Sequence, residues 1–242
     1  MWRIAKLFIA LLIPGIVFSQ AQPGGNAYVP SSGGSSGSLP TIVQSAFARQ
    51  TSNFASQTLT LSSSPTVGNY LVVVGVGYGI SNAGVSYKFD NITWAELYAG
   101  ANNSQALGVW TRKVQVGDGT TWANFGTDNG SGTWGIYEIS NLIDVTVSAN
   151  VGFPTASTVV SGQVDRGYRT NYTICALERD TAGAESSLTG CTLVYDGTSA
   201  GASGHPAVLG YVGTGALTAV TWTLGASATT NGLMAAIHLY GP

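Results

Sequence analysis

Short runs rich in Val, Thr, Tyr, Ile and Trp follow one another along this chain, and no stretch of helical length has a 3.6-residue apolar period. Turn sequences such as Asp118-Gly119, Asp128-Asn129-Gly130 and Asp196-Gly197 separate the runs. The predicted strands include residues 41–48, 56–62, 70–78, 84–89, 92–98, 105–116, 132–140, 170–179, 190–195, 206–213 and 233–239. About a dozen strands without helices between them predict an all-β fold, a two-sheet antiparallel β-sandwich.

The run GNYLVVVGVGYG at residues 68–79 places glycines at positions 75, 77 and 79 after β-branched residues, much as a dinucleotide-binding loop does. Such a loop needs a helix directly after it, because N–H groups at the helix N-terminus hold the pyrophosphate. Turn and strand sequences follow here instead, and the spacing is G-x-G-x-G. The run predicts a central strand covered on both faces, or one whose outer face is overlain by a loop. Its glycines are expected where a backbone or a bulky ring crosses the strand.

Two later runs, AVTWTLG at 219–225 and GLMAAIHLY at 232–240, alternate between apolar and polar positions. Strict alternation is typical of a strand with one buried face. Both runs therefore predict half-buried antiparallel strands. The apolar faces consist of Val220, Trp222 and Leu224 in the first run and of Leu233, Ala235, Ile237 and Leu239 in the second.

The N-terminal residues have the composition of a secretory signal peptide. MWRIAK supplies two positive charges, LFIALLIPGIVF is an apolar core, and Ser19-Gln20-Ala21 has small residues at the positions that signal peptidase reads. The apolar run is shorter than the about 20 residues of a membrane span. We expect a signal peptide at 1–21, a Gly/Ser/Pro-rich linker at 22–40 and a β-sandwich domain at 41–242, in a protein that is extracellular or on the cell surface.

The composition excludes one class of partner. Charged residues make up 8% of the chain, whereas an average soluble protein has about 25%. A surface without a basic field or a stripe of arginines and aromatic residues does not attract phosphates, so we expect no nucleic-acid partner. We also expect no membrane insertion after signal cleavage.

The segments GNYLVVVGV at 68, VSYKFDNITW at 85, ALGVWTRKV at 106 and WGIYEISNL at 134 carry a resemblance to a known group of domains. Their succession resembles the jelly-roll domains of secreted bacterial and phage surface proteins, which are grouped with concanavalin A-like lectins and glucanases. The resemblance covers most of residues 41–241. It implies a jelly roll, and it implies a module without assigned catalytic residues that accompanies carbohydrate-active or adhesive modules.

Candidate catalytic residues are few. Glycoside hydrolysis needs two carboxylates about 5 to 9 Å apart, and the jelly-roll glucanases carry theirs as E-x-D-x-E, a run that this chain does not contain. Glu138, in IYEIS, is a lone strand glutamate that we expect at the concave face or in solvent. His205 and His238 have no spacing that connects them to a nucleophile, and two histidines are too few for a zinc site. We therefore expect no enzymatic activity and no catalytic residue.

The two cysteines, Cys175 and Cys191, fall on candidate strands joined by a polar connection. In an oxidising compartment they predict one disulfide across neighbouring strands, the alternative being two buried free thiols. The loops around Asp118 and around Asp128 and Asn129 offer oxygen ligands of the kind calcium prefers, so a structural calcium is one interpretation. The other interpretation is a pair of ordinary tight turns. No cofactor is expected.

Aromatic residues are the remaining candidates for a binding surface. Sugars stack their C–H faces on aromatic rings while their hydroxyls bond to polar side chains. Trp110 and Trp222 have strand patterns consistent with a core, whereas Trp122 and Trp134 are better candidates for exposure. We select Trp122, Trp134 and Glu138 as ligand-binding candidates. The sequence favours a secreted, non-catalytic module for adhesion, surface assembly or glycan binding, with a glycan or a neighbouring surface protein as partner. The alternatives are a structural subunit that self-assembles or decorates a cell or virion surface, and a carbohydrate-active enzyme.

Overall fold

Every regular element in the described part of the chain is a β-strand. The computed structural model describes residues 38–50, 56–78, 88–89, 94–102, 105–125, 131–153, 159–162, 169–179, 185–189, 192–196, 207–213, 219–224 and 232–241, all within the unit Ser35–Pro242. None of these ranges contains a helix long and apolar enough to cross a membrane. The predicted signal peptide and most of the predicted linker lie outside them.

Sixteen strands occur in these ranges. They are β1 (Thr41–Gln50), β2 (Ser56–Thr60), β3 (Tyr70–Tyr78), β4 (Lys88–Phe89), β5 (Ala95–Asn102), β6 (Gln105–Lys113), β7 (Thr121–Phe125), β8 (Ser131–Ser140), β9 (Asp144–Phe153), β10 (Val159–Gly162), β11 (Arg169–Arg179), β12 (Glu185–Thr189), β13 (Thr192–Asp196), β14 (Ala207–Gly213), β15 (Ala219–Leu224) and β16 (Gly232–Gly241).

The strands form four sheets in which each described pairing is antiparallel. One five-stranded sheet has the order β1-β8-β3-β6-β5, and a second has the order β13-β14-β11-β16-β9. Two three-stranded sheets have the orders β2-β7-β4 and β10-β15-β12. For the described residues, the prediction of an all-β fold built from antiparallel sheets is therefore confirmed.

Strand β3 is the central strand of the first sheet, and both of its faces are buried. Val72, Val74 and Val76 join one apolar cluster, whereas Leu71 and Val73 join another on the opposite face. A strand covered on both sides reads as a continuous apolar run, because neither face needs polar residues for solvent. The boundaries Tyr70–Tyr78 agree with the predicted strand at 70–78.

The first apolar cluster contains residues from both five-stranded sheets. Its buried members are Val72, Val74, Val76, Leu107, Val109, Tyr137, Ile139, Leu142, Ile174, Ala176, Ala235, Ile237 and Leu239. The second cluster joins the opposite face of the first sheet to the sheet β2-β7-β4. Its buried members are Leu59, Leu61, Leu71, Val73, Trp94, Trp110, Val114, Trp122, Trp134 and Ile136.

The last strand, β16, differs from its prediction. Its residues Ala235, Ile237 and Leu239 are buried in the first cluster, as the alternation predicted. His238 and Tyr240 on the other face are buried as well, so the prediction of a half-buried strand is wrong here. Strand β16 lies between β11 and β9, and the short strand β10 lies against β9 and β16. The small and polar residues of that face are therefore interior residues.

Strands β7, β9, β10 and β12 were not among the predicted strands. The sequence DVTVSANVGF of β9 does alternate, and its valines 145 and 147 pack against the first cluster while Thr146 lies on the other face. This pattern was available in the sequence. Strand β10 has four residues and β12 has five, too few for a periodicity to be distinctive.

Candidate functional site

Glu138 is a buried carboxylate in the middle of a polar cluster. It lies on β8 between Gln44 of β1 and Leu71 of β3, and it is fully buried. The Gln44 Nε2 group donates to Oε2 at 2.6 Å. The backbone N–H of Thr66 donates to Oε1 at 2.8 Å and Asn69 Nδ2 donates to the same oxygen at 2.6 Å. The expectation that Glu138 faces a concave surface or solvent is therefore wrong.

The hydrogen bonds decide the ionisation of Glu138. Burial by itself raises the pKa of a carboxyl, because it disfavours the charged form. The donors Gln44, Thr66 and Asn69 together outweigh this effect and hold the pKa of Glu138 below its ordinary value. A general acid at neutral pH needs a raised pKa instead, so this carboxylate has the properties of a structural anion.

Gln44 extends the cluster to the segment that follows β2. Its Oε1 accepts hydrogen bonds from the Ser62 hydroxyl at 3.0 Å and from the Ser63 backbone N–H at 3.2 Å. Its Nε2 also donates to the Ser63 carbonyl at 3.1 Å. The edge strand β1 and the segment after β2 are thus joined through one amide side chain, which is itself bonded to Glu138.

A buried ion pair lies on the same face of the sheet. Arg112 of β6 is opposite Leu71, which is itself opposite Glu138. Its Nη2 contacts both carboxylate oxygens of Asp118, at 2.8 and 2.7 Å. The guanidinium also lies over the ring of Trp122, with Cζ 4.9 Å from the ring centroid. Pairing with Asp118 and stacking on the ring offset much of the cost of burying this charge, although Arg112 Nη1 is buried without a hydrogen-bond partner.

Two similar turns contain Asn69, which Glu138 binds, and Asp118, which Arg112 binds. In Thr66-Val67-Gly68-Asn69 the Asn69 N–H donates to the Thr66 carbonyl at 3.1 Å, and Gly68 has φ of 97°. The second turn is Gln115-Val116-Gly117-Asp118, in which the Asp118 N–H donates to the Gln115 carbonyl at 3.3 Å and Gly117 has φ of 91°. A positive φ at the third position favours glycine. Both turns place a valine second.

Backbone hydrogen bonds hold these two turns together. The Gly68 N–H donates to the Val114 carbonyl at 3.3 Å, and the Val114 N–H donates to the Asn69 carbonyl at 2.8 Å. The turns continue the pairing of β3 with β6, in which Tyr70 is opposite Lys113. Glu138 fixes the first turn through Asn69, and Arg112 fixes the second. The sequence indicated a turn around Asp118 but not the one at 66–69, and it could not show that two distant V-G sequences are neighbours.

Trp122 and Trp134 are buried, so the prediction that they are exposed is wrong. Trp122 of β7 is 2% exposed and Trp134 of β8 is 0% exposed. Trp122 meets Trp94 edge to face, with ring centroids 5.6 Å apart, and Trp134 stacks on Trp110 at 6.1 Å. Burial of Trp110 agrees with its strand pattern. Neither Trp122 nor Trp134 presents a ring face to solvent on which a sugar could stack.

The Trp134 ring explains one of the strand glycines. A β-carbon added at Gly75 of β3 would overlap Cζ3 and Cε3 of the Trp134 indole. Gly75 is paired with Trp134 on one side and with Gly108 on the other, and Trp110 lies over Gly108 in the same way. The prediction that a bulky ring crosses the strand at its glycines is confirmed for Gly75. Gly79 is outside the described residues.

His238 belongs to a second buried polar group, on the face of the other five-stranded sheet that is opposite the first apolar cluster. It is paired with Thr173 on one side and Thr146 on the other, and its Nδ1 lies 3.0 Å from Thr173 Oγ1. Burial lowers the pKa of His238, so the neutral imidazole is favoured. A hydroxyl beside an imidazole can serve as a nucleophile and base, but both side chains are buried. No carboxylate of the described residues bonds to Nε2.

The predicted disulfide and metal sites are described in part. Cys175 is buried on β11 and is disulfide-bonded, whereas Cys191, its predicted partner, lies outside the described residues. Both carboxylate oxygens of Asp118 are bonded to Arg112, and its turn is a tight turn. The loop with Asp128 and Asn129 and the residue His205 lie outside the described residues. Within the described ranges, no group of three or more His, Cys, Asp or Glu residues is placed to hold a metal ion.

No protein-family model matches the sequence, and no curated protein matches it.

Proposed function

We propose that the chain is a secreted, non-catalytic β-sandwich that serves in adhesion or surface assembly. In this proposal residues 1–21 are a cleaved signal peptide and residues 22–40 are a tether. The two five-stranded sheets are the layers of a jelly roll of the concanavalin A-like kind. The apolar cluster to which both sheets contribute supports the two-layer arrangement. The signal-like N-terminus supports secretion.

The proposed function rests mainly on the hydrogen bonds that the carboxylate of Glu138 makes within the fold. This glutamate was one of three ligand-binding candidates in the sequence, and the second alternative function, a carbohydrate-active enzyme, would need such a carboxylate. Its oxygens are occupied by three donors that fix β1 and the turn at 66–69, and its pKa is lowered. The arrangement stabilises a rigid scaffold, which is what an adhesive or structural module requires.

Glycan binding has less support than adhesion or assembly through other contacts. The argument for it rested on Trp122 and Trp134, whose rings are packed against Trp94 and Trp110. The low content of charged residues supports contact with neutral surfaces, because few charges must lose their water when two such surfaces meet.

One experiment distinguishes a non-catalytic scaffold from a carbohydrate-active enzyme. Residues 22–242 are purified as wild type and as Glu138→Gln, and both are incubated with insoluble polysaccharides and with intact bacterial cells. We expect retention on at least one surface after washing, and no release of reducing ends by either protein. Release of reducing ends by the wild type would contradict the proposal, and its loss in Glu138→Gln with an unchanged circular dichroism spectrum would assign the activity to Glu138.

Secretion is tested separately with residues 1–242 expressed in a bacterial host. The proposal expects the protein outside the cytoplasm, with Gln22 as the N-terminal residue by mass spectrometry. A cytoplasmic product that retains residues 1–21 would contradict it.

A further inference from the structure

The second five-stranded sheet has a buried polar face around His238. Residues 235, 237 and 239 of β16 belong to the first apolar cluster, so His238 and Tyr240 lie on the opposite face of the strand. The register places Thr173 of β11 on one side of His238 and Thr146 of β9 on the other. All four side chains are buried. We call them the polar face.

Only one nitrogen of the His238 ring has a hydrogen-bond partner. Nδ1 lies 3.0 Å from Thr173 Oγ1, whereas Nε2 is buried without a partner. The Thr146 hydroxyl donates to the Tyr240 hydroxyl at 3.4 Å. A protonated imidazole has two N–H donors and a charge. Protonation of His238 in this place would therefore leave a buried charge with one donor that has no acceptor, which is costly.

The titratable neighbours of His238 on its own sheet do not offset such a charge. The ring of Tyr240 lies 6.4 Å from the imidazole, centroid to centroid. Asp144 of β9 lies opposite Tyr240, and its Oδ1 accepts the backbone N–H of Val145 at 2.9 Å. Cys175 of β11 lies on the same face but is disulfide-bonded, so it does not titrate. Burial is the cause that lowers the pKa of His238.

The strand β10 lies against β9 and β16. It belongs to the separate sheet β10-β15-β12, and no described strand pairing joins that sheet to the second five-stranded sheet. The sequences VVSG of β10 and AVTWTL of β15 contain no ionisable residue. Glu185 is on β12, which β15 separates from β10 in the sheet order. The covering sheet thus supplies no carboxylate on its nearest strand and no described backbone ladder to the strands beneath it.

A sheet that is not joined to its neighbour by backbone pairing can separate without breaking a ladder. Proteins open in local cooperative units, and the units with the fewest such connections open first. The described members of both apolar clusters lie on strands other than β10, β15 and β12. Separation of this sheet would admit water to His238 while those clusters remain packed.

We propose that His238 is an acid-sensitive switch, whose protonation in mild acid detaches the sheet β10-β15-β12 from the polar face while the two five-stranded sheets stay folded. The inference is independent of the proposed adhesive role and adds a conformational response to it. The closed form keeps a neutral imidazole, because its pKa is lowered, and the open form takes up a proton near the ordinary value of 6.5. The open population therefore rises by up to about tenfold for each pH unit below 6.5, until the lowered pKa is reached.

The test is hydrogen–deuterium exchange of residues 22–242, followed by mass spectrometry between pH 7.5 and pH 4 and corrected for the intrinsic pH dependence of exchange. Peptides that contain residues 159–162 and 219–224 should exchange faster from about pH 6.5 downward. Peptides that contain 70–78 and 131–140 should not change over the same range. His238→Asn keeps a polar group at the position of Nδ1 without titrating, and it should abolish the acceleration. Tyr240→Phe is the matched control, since it changes the same face and retains the imidazole, and it should respond to acid as the wild type does.

Three results would overturn the inference. One is exchange at 159–162 and 219–224 that does not change with pH, and another is acceleration that occurs equally at 70–78, which would mean global unfolding. The third is an acid response that persists in a folded His238→Asn or His238→Gln variant. If neither variant folds, the wild-type profile still decides, because acceleration that begins only below about pH 5 would assign the response to carboxyl groups.

Discussion

The indole ring of Trp134 occupies the space into which a side chain at Gly75 would project. The two residues are paired across β8 and β3, and the ring stacks on Trp110 with an interplanar angle of 26°. Trp110 in turn covers Gly108, the partner of Gly75 on the other side. Two glycines thus give room for two stacked tryptophans above the centre of the sheet.

Gly75→Ala should destabilise the protein by about 3 kcal/mol. The new methyl group would overlap the Trp134 ring, which Trp110 prevents from moving away, and overpacking of this kind costs about 1 to 3 kcal/mol or more. The free energy of unfolding is measured by denaturant titration. Gly119→Ala is the control, because nothing lies within 4 Å of the added carbon there. Equal stability of the two variants would refute the close contact.

Because Gly75 and Trp134 are in contact, the losses of unfolding free energy caused by changing each of them should not add. Trp134→Leu alone leaves a cavity and should cost about 3 kcal/mol or more. In the double variant Gly75→Ala, Trp134→Leu the methyl group has room, so the loss should be smaller than the sum of the two single losses. A strictly additive double variant would mean that the two side chains do not share this space.

Glu138→Gln should lower the free energy of unfolding at pH 7 by about 2 kcal/mol. The glutamine side chain has the same shape, but its NH2 group replaces one carboxylate oxygen and would face an N–H donor of Gln44, Thr66 or Asn69. Hydrogen bonds to a charged group are worth about 1.5 to 3 kcal/mol. Glu96→Gln on β5 is the control, because Glu96 is exposed. A loss as small as that of the control would show that the carboxylate is not bound as described.

The same variant should change the acid dependence of stability. The pKa of Glu138 is lowered in the folded state, so its contribution is complete above the ordinary value of about 4.5 and is lost as the pH falls through the folded pKa. Glu138→Gln should therefore lose less stability than the wild type between pH 6 and pH 3. A parallel acid profile for the two proteins would contradict this assignment.

His238 should make the protein less stable below neutral pH. Its pKa is lowered by burial from an ordinary value of 6.5, so the unfolded chain takes up a proton that the folded chain does not. Unfolding free energy should fall as the pH drops below 6.5, by about 1.4 kcal/mol for each unit of pKa difference. His238→Gln should flatten this part of the profile. A flat wild-type profile between pH 7 and pH 5 would contradict the prediction.

Much of the fold could be predicted from local patterns, because the order of apolar and polar residues along a strand indicates which of its faces is buried. The continuous apolar run of β3 predicted a strand buried on both sides, and the alternation in β16 predicted its core face. The other face of β16 was mispredicted because Ala236 and His238 are small or polar, although the strand is covered there. Coverage depends on segments far away in sequence.

The site could not be predicted for the same reason. Glu138 accepts hydrogen bonds from Gln44, Thr66 and Asn69, which lie 94, 72 and 69 positions earlier in the chain. Nothing near IYEIS therefore indicates these donors. Trp134 was selected as a better candidate for exposure than Trp110 or Trp222, and its own neighbours in the sequence do not show that it is covered. Those neighbours, Gly132, Thr133 and Gly135, instead make room in a closely packed layer, and all three are buried.

The most direct test of the account is an NMR titration of the side-chain carboxyl of Glu138 in residues 22–242 with ¹³C-labelled glutamate. The chain has four glutamates, Glu96, Glu138, Glu178 and Glu185, so Glu138→Gln assigns the resonance by its loss. A structural carboxylate held by three donors should titrate below its ordinary value of 4.5. A midpoint raised to about 6, as a general acid requires, would contradict the account and would favour an enzyme.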